Sequence, residues 1–404
     1  MKKLSLIWIF CLACLTSQLF AQTSKVADTT SLSEQKDVID LLEDLFGKDK
    51  TRMDSSRLDK KFHFSLIPAA GAVAGGGAAV ATAFNVAFYT GDDQTTSLSA
   101  VTFTPWFSFD GKFVLPFRNS IWLPNDVVVL KGDTRYMIYP QYTWGLGGQT
   151  NSNDKVLLEY NYVRFYQSIL RRASKKVFFG GGINIDYHFN LPEVTDTMSQ
   201  SQIPLYDYRQ EYNQPGTSIG PMINFLVDTR GTSINPPRGF YGAIDYRFNA
   251  EFLGSTYAWQ SIVVDVRKYF PFEHHRQNLL ALWGMYWGVT NGRTPYLDLP
   301  SIGWDYSSHT GRGFEQNRYR SNHLVYFEAE YRRDLTKNGF FGFVLFTNIH
   351  SVSEYENNQF RYWHPAAGTG VRIKFNKISQ TNIGLDIATS KDYTGLYVTL
   401  GETF

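Results

Sequence analysis

Residues 325–332 read Val325-Tyr326-Phe327-Glu328-Ala329-Glu330-Tyr331-Arg332. In an extended chain successive side chains point to opposite faces. Val325, Phe327, Ala329 and Tyr331 therefore share one face, and Tyr326, Glu328, Glu330 and Arg332 the other. The first face suits hydrocarbon, while the second carries full charges. A soluble two-sheet sandwich seldom buries such charges, because desolvating an ion is costly. A barrel in lipid turns the apolar face outward and the charged one into its lumen.

The same alternation recurs on both sides of this octet. Ile183, Ile185, Tyr187 and Phe189 oppose Asn184, Asp186 and His188; Ile262, Val264 and Val266 oppose Asp265 and Arg267. Val371, Ile373 and Phe375 oppose Arg372 and Lys374, and Ile383, Leu385 and Ile387 oppose Gly384 and Asp386. The pattern runs from Lys61 to Phe404 and predicts an all-β fold, a transmembrane antiparallel barrel of about 16 strands. Expected strands include 96–108, 126–145, 156–170 and a last strand over 394–404. An even count puts both barrel ends on one side. Long connections at 191–215, 291–319 and 351–364 then fall outside, and short ones at 171–174, 271–276, 335–337 and 377–379 inside. Closure follows from lipid, where every backbone donor and acceptor needs a protein partner.

The N-terminus assigns the compartment. Lys2 and Lys3 precede an apolar stretch from Leu4 to Leu15, too short to span, and Ala21 offers a small residue before Gln22. This is the pattern of a secretory signal peptide over 1–21. A lipoprotein signal ending at Cys14 is disfavoured by Cys11, which stands where Leu is wanted. The chain's 2 cysteines both lie in this segment, so the mature product has no disulfide, thiolate metal site or cysteine nucleophile. Residues 22–60 form a polar periplasmic lead. Val38, Leu41, Leu42, Leu45 and Phe46 recur there at helical spacing, predicting a short amphipathic helix or, equally, a disordered tether. A net charge of +2 with no basic run argues against nucleic acid. Aromatic residues make up 16% of the chain (25 Tyr, 31 Phe, 9 Trp) while its mean hydropathy is −0.27, a balance that suits a barrel with interfacial girdles.

Arg312-Gly313-Phe314 lies in the long outside loop between the eleventh and twelfth expected strands. An Arg-Gly-Phe in that loop resembles the signature of the BamA/TamA outer-membrane assembly family, also called the bacterial surface antigen family. The resemblance implies a loop folded into the lumen, with Arg312 latched to acids on the next strands. Glu330 matches the family's strand-twelve acid, and Glu328 is its neighbour. The next strand departs from the family: Asn348 stands in place of Asp and His350 in place of Gly. An Asn offers a neutral carbonyl where a carboxylate gives a charge-assisted bond. The latch is therefore expected to rest mainly on Glu330 and to be weaker by ~1–2 kcal/mol.

Two further stretches resemble the family. Asp228-Thr229-Arg230 with Asn235-Pro236-Pro237-Arg238-Gly239 matches its inside turn, although Asp228, Arg230, Pro236 and Gly239 also satisfy ordinary hairpin chemistry. Leu396, Val398, Leu400 and Phe404 are expected on one face and resemble a C-terminal β-signal, from which Glu402 departs. The likeness covers 61–404, the barrel alone, without the periplasmic (POTRA) domains of full-length relatives. It implies insertion or translocation of proteins at the outer membrane, with lipid, client barrels or a separate periplasmic subunit as partners. The alternative is a passive or plugged barrel acting as a solute channel or structural protein.

Enzyme and metal readings find little support. Glu273, His274 and His275 form a charged turn without further ligands at metal spacing, and Gly71–Gly77 lacks the Lys-Ser/Thr of a phosphate loop. Lumenal Glu328, Glu330 and Asp386 have Arg332, Arg372 and Lys374 as neighbours, and a salt-bridge network is expected. No cofactor, metal or catalytic residue is assigned.

Overall fold

The computed structural model describes residues 34–45, 62–72, 78–191, 215–272, 277–306 and 308–404. The signal segment, most of the lead and Glu273-His274-His275 lie outside the described residues.

The lead contains one helix, α1 (Val38–Leu45). Asp37 caps it: the Asp40 amide donates to Asp37 Oδ1 at 2.7 Å, and the Asp37 amide donates back to Asp40 Oδ2 at 3.0 Å. This reciprocal pairing satisfies two helix-start donors. Lys377 ties the cap to the barrel, donating its amide to Asp37 Oδ2 at 2.8 Å and its ammonium to Asp40 at 3.0 Å. Leu41, Leu42 and Leu45 stay exposed.

The strands are β1 (Phe62–Ala72), β2 (Ala78–Phe88), β3 (Ser99–Phe103), β4 (Trp106–Ser108), β5 (Phe113–Trp122), β6 (Val128–Ile138), β7 (Gln141–Thr143), β8 (Val156–Leu158), β9 (Asn161–Ser174) and β10 (Val177–Phe189). There follow β11 (Gly216–Asp228), β12 (Gly239–Asn249), β13 (Trp259–Pro271), β14 (Asn278–Gly292), β15 (His323–Asp334), β16 (Phe341–Val352), β17 (His364–Asn376), β18 (Thr381–Thr389) and β19 (Thr394–Leu400). A 17-stranded antiparallel sheet holds all but β7 and β8. Since β3 and β4 follow one course between β2 and β5, the seventeen segments make sixteen passes. The break at Thr104-Pro105 has a simple cause: Pro105 has no N–H to give the ladder.

Three expected strands are corrected. The span 126–145 ends its barrel course at Ile138. Beyond Pro140, β7 leaves the wall and pairs with β8 in a separate two-stranded hairpin. The span 156–170 therefore starts its barrel course only at Asn161 and runs to Ser174. The last strand, expected to reach 404, stops at Leu400, where Gly401 takes φ +93°.

Alternation sorts the walls as the charge pattern requires. Phe327, Val371, Leu385 and Ile387 are exposed on the outer face, while Tyr326, Glu328, Glu330, Arg332, Arg372 and Asp386 are buried within. The two-residue connection 175–176 and the short ones 335–340 and 377–380 lie at one end of the barrel, and the long ones 139–160, 293–322 and 353–363 at the other. The longest described connection, 293–322, turns inward: Leu299, Ile302, Trp304 and Phe314 are buried among lumenal side chains.

Candidate functional site

The inward loop is organised around short local bonds. Asp305 accepts from the Thr310 amide at 2.9 Å and from its hydroxyl at 2.6 Å, and Gln316 donates to the Gly303 carbonyl at 2.7 Å. Arg320 donates to the Tyr296 carbonyl at 2.7 Å and to Asn317 at 2.9 Å. These bonds satisfy backbone groups that would otherwise be orphaned in a filled lumen. They present Arg312-Gly313-Phe314 to the wall formed by β15–β19.

Arg312 meets three carboxylates. One guanidinium nitrogen pairs with Glu328 and Glu330, and the other lies 2.7 Å from Asp386 of β18. The group also sits 3.5 Å from the ring centroid of Phe346. Asn348 acts as a donor, its Nδ2 reaching the Arg312 carbonyl at 2.8 Å. The carboxylate that β16 lacks is thus supplied two strands further on. Asp386 was legible as a lumenal acid but not as a partner of Arg312. With it, the expectation of a weakened latch resting mainly on Glu330 gives way to one shared by three acids.

Gly313 has φ +94°, a conformation disfavoured for L side chains. Its amide donates to the Tyr397 hydroxyl at 2.8 Å, and a Cβ there would fall 2.8 Å from Ala366 Cβ. Phe314 packs edge-on against His350 with centroids 4.5 Å apart. His350, which stands where the family has Gly, therefore forms part of the loop's aromatic seat together with Tyr319 and His364.

The ion network continues past the loop. Arg332 Nε lies 2.6 Å from Glu330, and Arg372 lies 2.5 Å from Asp386 and 2.9 Å from Glu402. Here a second expectation is corrected. Leu396 and Val398 face outward, but Phe404 is 2% exposed and does not share their face. After the left-handed Gly401 the chain turns into the lumen. Asn382 donates to Glu402 at 2.7 Å, Arg332 donates to the Phe404 carbonyl at 2.7 Å, and His309 of the loop lies 2.6 Å from the Thr403 carbonyl. Phe404 ends against Trp283 of β14 and Tyr269 of β13, at centroid distances of 5.2 and 6.4 Å. Glu402, the residue that departs from the β-signal pattern, faces Arg372 and belongs to this tail.

The Asp228–Gly239 turn does more than close a hairpin. Arg230 binds Asp228 through two bonds of 3.0 and 2.8 Å and lies 4.2 Å from the Tyr241 ring centroid. Gly239 has φ +112°, and a Cβ there would sit 2.7 Å from the Thr229 carbonyl oxygen. With Pro236 buried behind it, the turn reaches across the barrel end. The Ile234 carbonyl accepts from the Glu402 amide at 3.1 Å, and Asn235 accepts from Gln277 at 2.7 Å. No sequence signal marks this meeting of turn and tail, because they are brought together only by closure.

Outside the lumen, Asp126 at the β5–β6 turn accepts from the Ser97 amide at 2.6 Å and from Lys176 at 2.8 Å. Burial alone would raise its carboxyl pKa, but the Lys176 ammonium and the Ser97 donors outweigh that and hold it below the usual carboxylate range. Among the described residues no group of three or more His, Cys, Asp or Glu is placed to hold a metal ion.

No protein-family model matches this chain, and no curated protein matches it by sequence. Solved structures do. The crystal structure of BamA from Haemophilus ducreyi lacking POTRA domains 1–3 aligns with a TM-score of 0.52 at 12% identity, covering 93% of this chain and 82% of that one. CdiB from Acinetobacter baumannii aligns with a TM-score of 0.53 at 13% identity, covering 84% of this chain and 60% of that one. In fold, this chain is an antiparallel β-barrel of the kind seen in BamA and CdiB.

Proposed function

We propose that this barrel is a non-catalytic component of the outer membrane that inserts or translocates other proteins, working with lipid on its outer face and with a separate periplasmic subunit. One observation carries the reading. Every neighbouring pair of passes is joined by a ladder except the first and last: β1 lies beside β19, with no ladder between them among the described residues. Such an edge offers unpaired backbone groups to which a client strand would add by β-augmentation. A disulfide engineered between one cysteine in β1 and one in β19 would close that edge. The expected result is a fall in other outer-membrane proteins under oxidising conditions, reversed by reductant. An unchanged outer-membrane proteome would count against the reading.

A second reading is favoured by the filled lumen, in which the 293–322 loop and the Glu402–Phe404 tail obstruct any wide path. A plugged barrel would act as a structural protein or gated solute channel. Planar-bilayer conductance that rises sharply on deletion of 306–319, with client levels unaffected, would select it.

A further inference from the structure

We propose that the cavity between the lumenal wall of β9–β14 and the inner side of the 293–322 loop is a binding site for a neutral polyhydroxylated molecule, of the chemistry of a sugar, recognised by Asn184, Asp245 and Asp298. The cavity is partly open to solvent. Trp287, Trp304 and Tyr306 contribute flat apolar surface to its walls.

The hydrogen-bonding capacity of the walls is lopsided. The cationic donors are consumed internally: Arg247 bonds Asn249 at 2.8 Å, Asp186 at 2.5 Å and the Ser218 carbonyl at 3.0 Å, and Arg164 bonds Tyr162 at 2.8 Å. Trp259 donates to Ser218 at 3.1 Å, and Ser218 in turn donates to Asp298 at 2.6 Å. What faces the cavity is acceptor-rich. Asp245 receives only the Asn224 amide, at 2.5 Å, among the side-chain hydrogen bonds described. Asn184 is 1% exposed, spends its NH2 on the Met222 sulfur at 3.4 Å, and leaves Oδ1 without a partner. A buried amide oxygen left unbonded costs free energy that a donating ligand would recover.

Charge separates the ligand classes. Asp133 and Asp186 are paired with Arg118, Arg135, Arg164 and Arg247. Those four guanidiniums and Lys131, whose charge acts on Asp245, offset Asp133, Asp186, Asp245, Asp298 and the lining Asp305 together, so no standing charge calls for an ion. Hydroxyl groups supply the missing donors without adding charge, and the C–H face of a sugar ring suits an indole.

The test titrates the purified full chain, in a detergent without a sugar headgroup, with glucose and with maltotriose, reading tryptophan fluorescence. A saturable change is expected with at least one of the two. Asn184→Leu is expected to weaken that binding about tenfold, the loss of roughly one buried hydrogen bond. Trp304→Phe is expected to weaken it as well and carries the test if the first variant does not fold. Heat-modifiable migration checks folding in both. Absence of a saturable change with either sugar, unchanged affinity in a folded variant, or binding of spermidine in place of the sugars would overturn the proposal.

Discussion

Truncating Arg312 to alanine removes the one side chain that joins the inward loop to three buried acids. Arg372 still faces Asp386 and Arg332 still faces Glu330, so those carboxylates keep a cation. Glu328 does not: its other described partner is the Tyr326 hydroxyl. The cost is therefore that of one stranded buried carboxylate plus the lost pairs, about 3–5 kcal/mol. Since 1.4 kcal/mol is a factor of ten, the open population of the loop should rise roughly a hundredfold or more. Limited proteolysis of 306–319 in purified barrel reads this directly, with the rate compared between the wild-type chain, Arg312→Ala and Arg312→Ala/Glu328→Gln. The double variant should recover part of the loss, because its remaining group is neutral and needs no counterion. Equal cleavage rates for all three, or a double variant more sensitive than the single one, would refute the stranded-charge argument.

Gly313→Ala should destabilise the loop by about 1–3 kcal/mol, from the left-handed backbone and the crowding against Ala366, and is read by the same cleavage assay. Phe404→Ala, by removing an aromatic packed on Trp283 and Tyr269, should lower stability by about 3–5 kcal/mol, measured as a lower temperature for loss of heat-modifiable migration. Glu402→Gln should be milder, since the Gln oxygen still accepts from Arg372 and its NH2 can donate to Asn382 Oδ1 once the Asn382 amide flips; a loss larger than that of Phe404→Ala would contradict the assignment of the tail. Asp126→Asn should cost under about 1 kcal/mol, because the Lys176 side chain is 40% exposed and solvent screens the pair. The folded Asp126 carboxyl lies below its unfolded value of about 3.9, so its contribution is complete above that pH and lost as pH falls through the folded value. Denaturant titration of wild type and Asp126→Asn should therefore differ at pH 7 and converge in strong acid.

Much of the architecture was readable because period-two alternation is a local property. Phe327 outside and Glu330 inside follow from parity alone, and parity propagates along each strand without knowledge of its neighbours. The exceptions are residues whose position depends on contacts distant in sequence. Gln141 and Tyr142 continue the alternation of β6, yet Pro140 breaks the ladder and sends them into the β7–β8 hairpin. Phe404 continues the alternation of β19 by count, but Gly401 admits a left-handed turn that parity does not register. Asp386 is visible as an inward acid, whereas its choice of Arg312 depends on how deep the loop penetrates. Local chemistry thus identified which groups enter the lumen, and closure decided which of them meet.

The tail has a mechanical consequence. Glu402–Phe404 runs from the end of β19, past Arg372 and Arg332, to Trp283 and Tyr269 on β14 and β13, five and six passes round the wall, as a strut cuts across an arc. A cylinder braced in this way resists flattening of that arc. Any outward swing of β19 must either drag β13–β15 with it or draw a buried aromatic ring and a paired carboxylate out of the lumen.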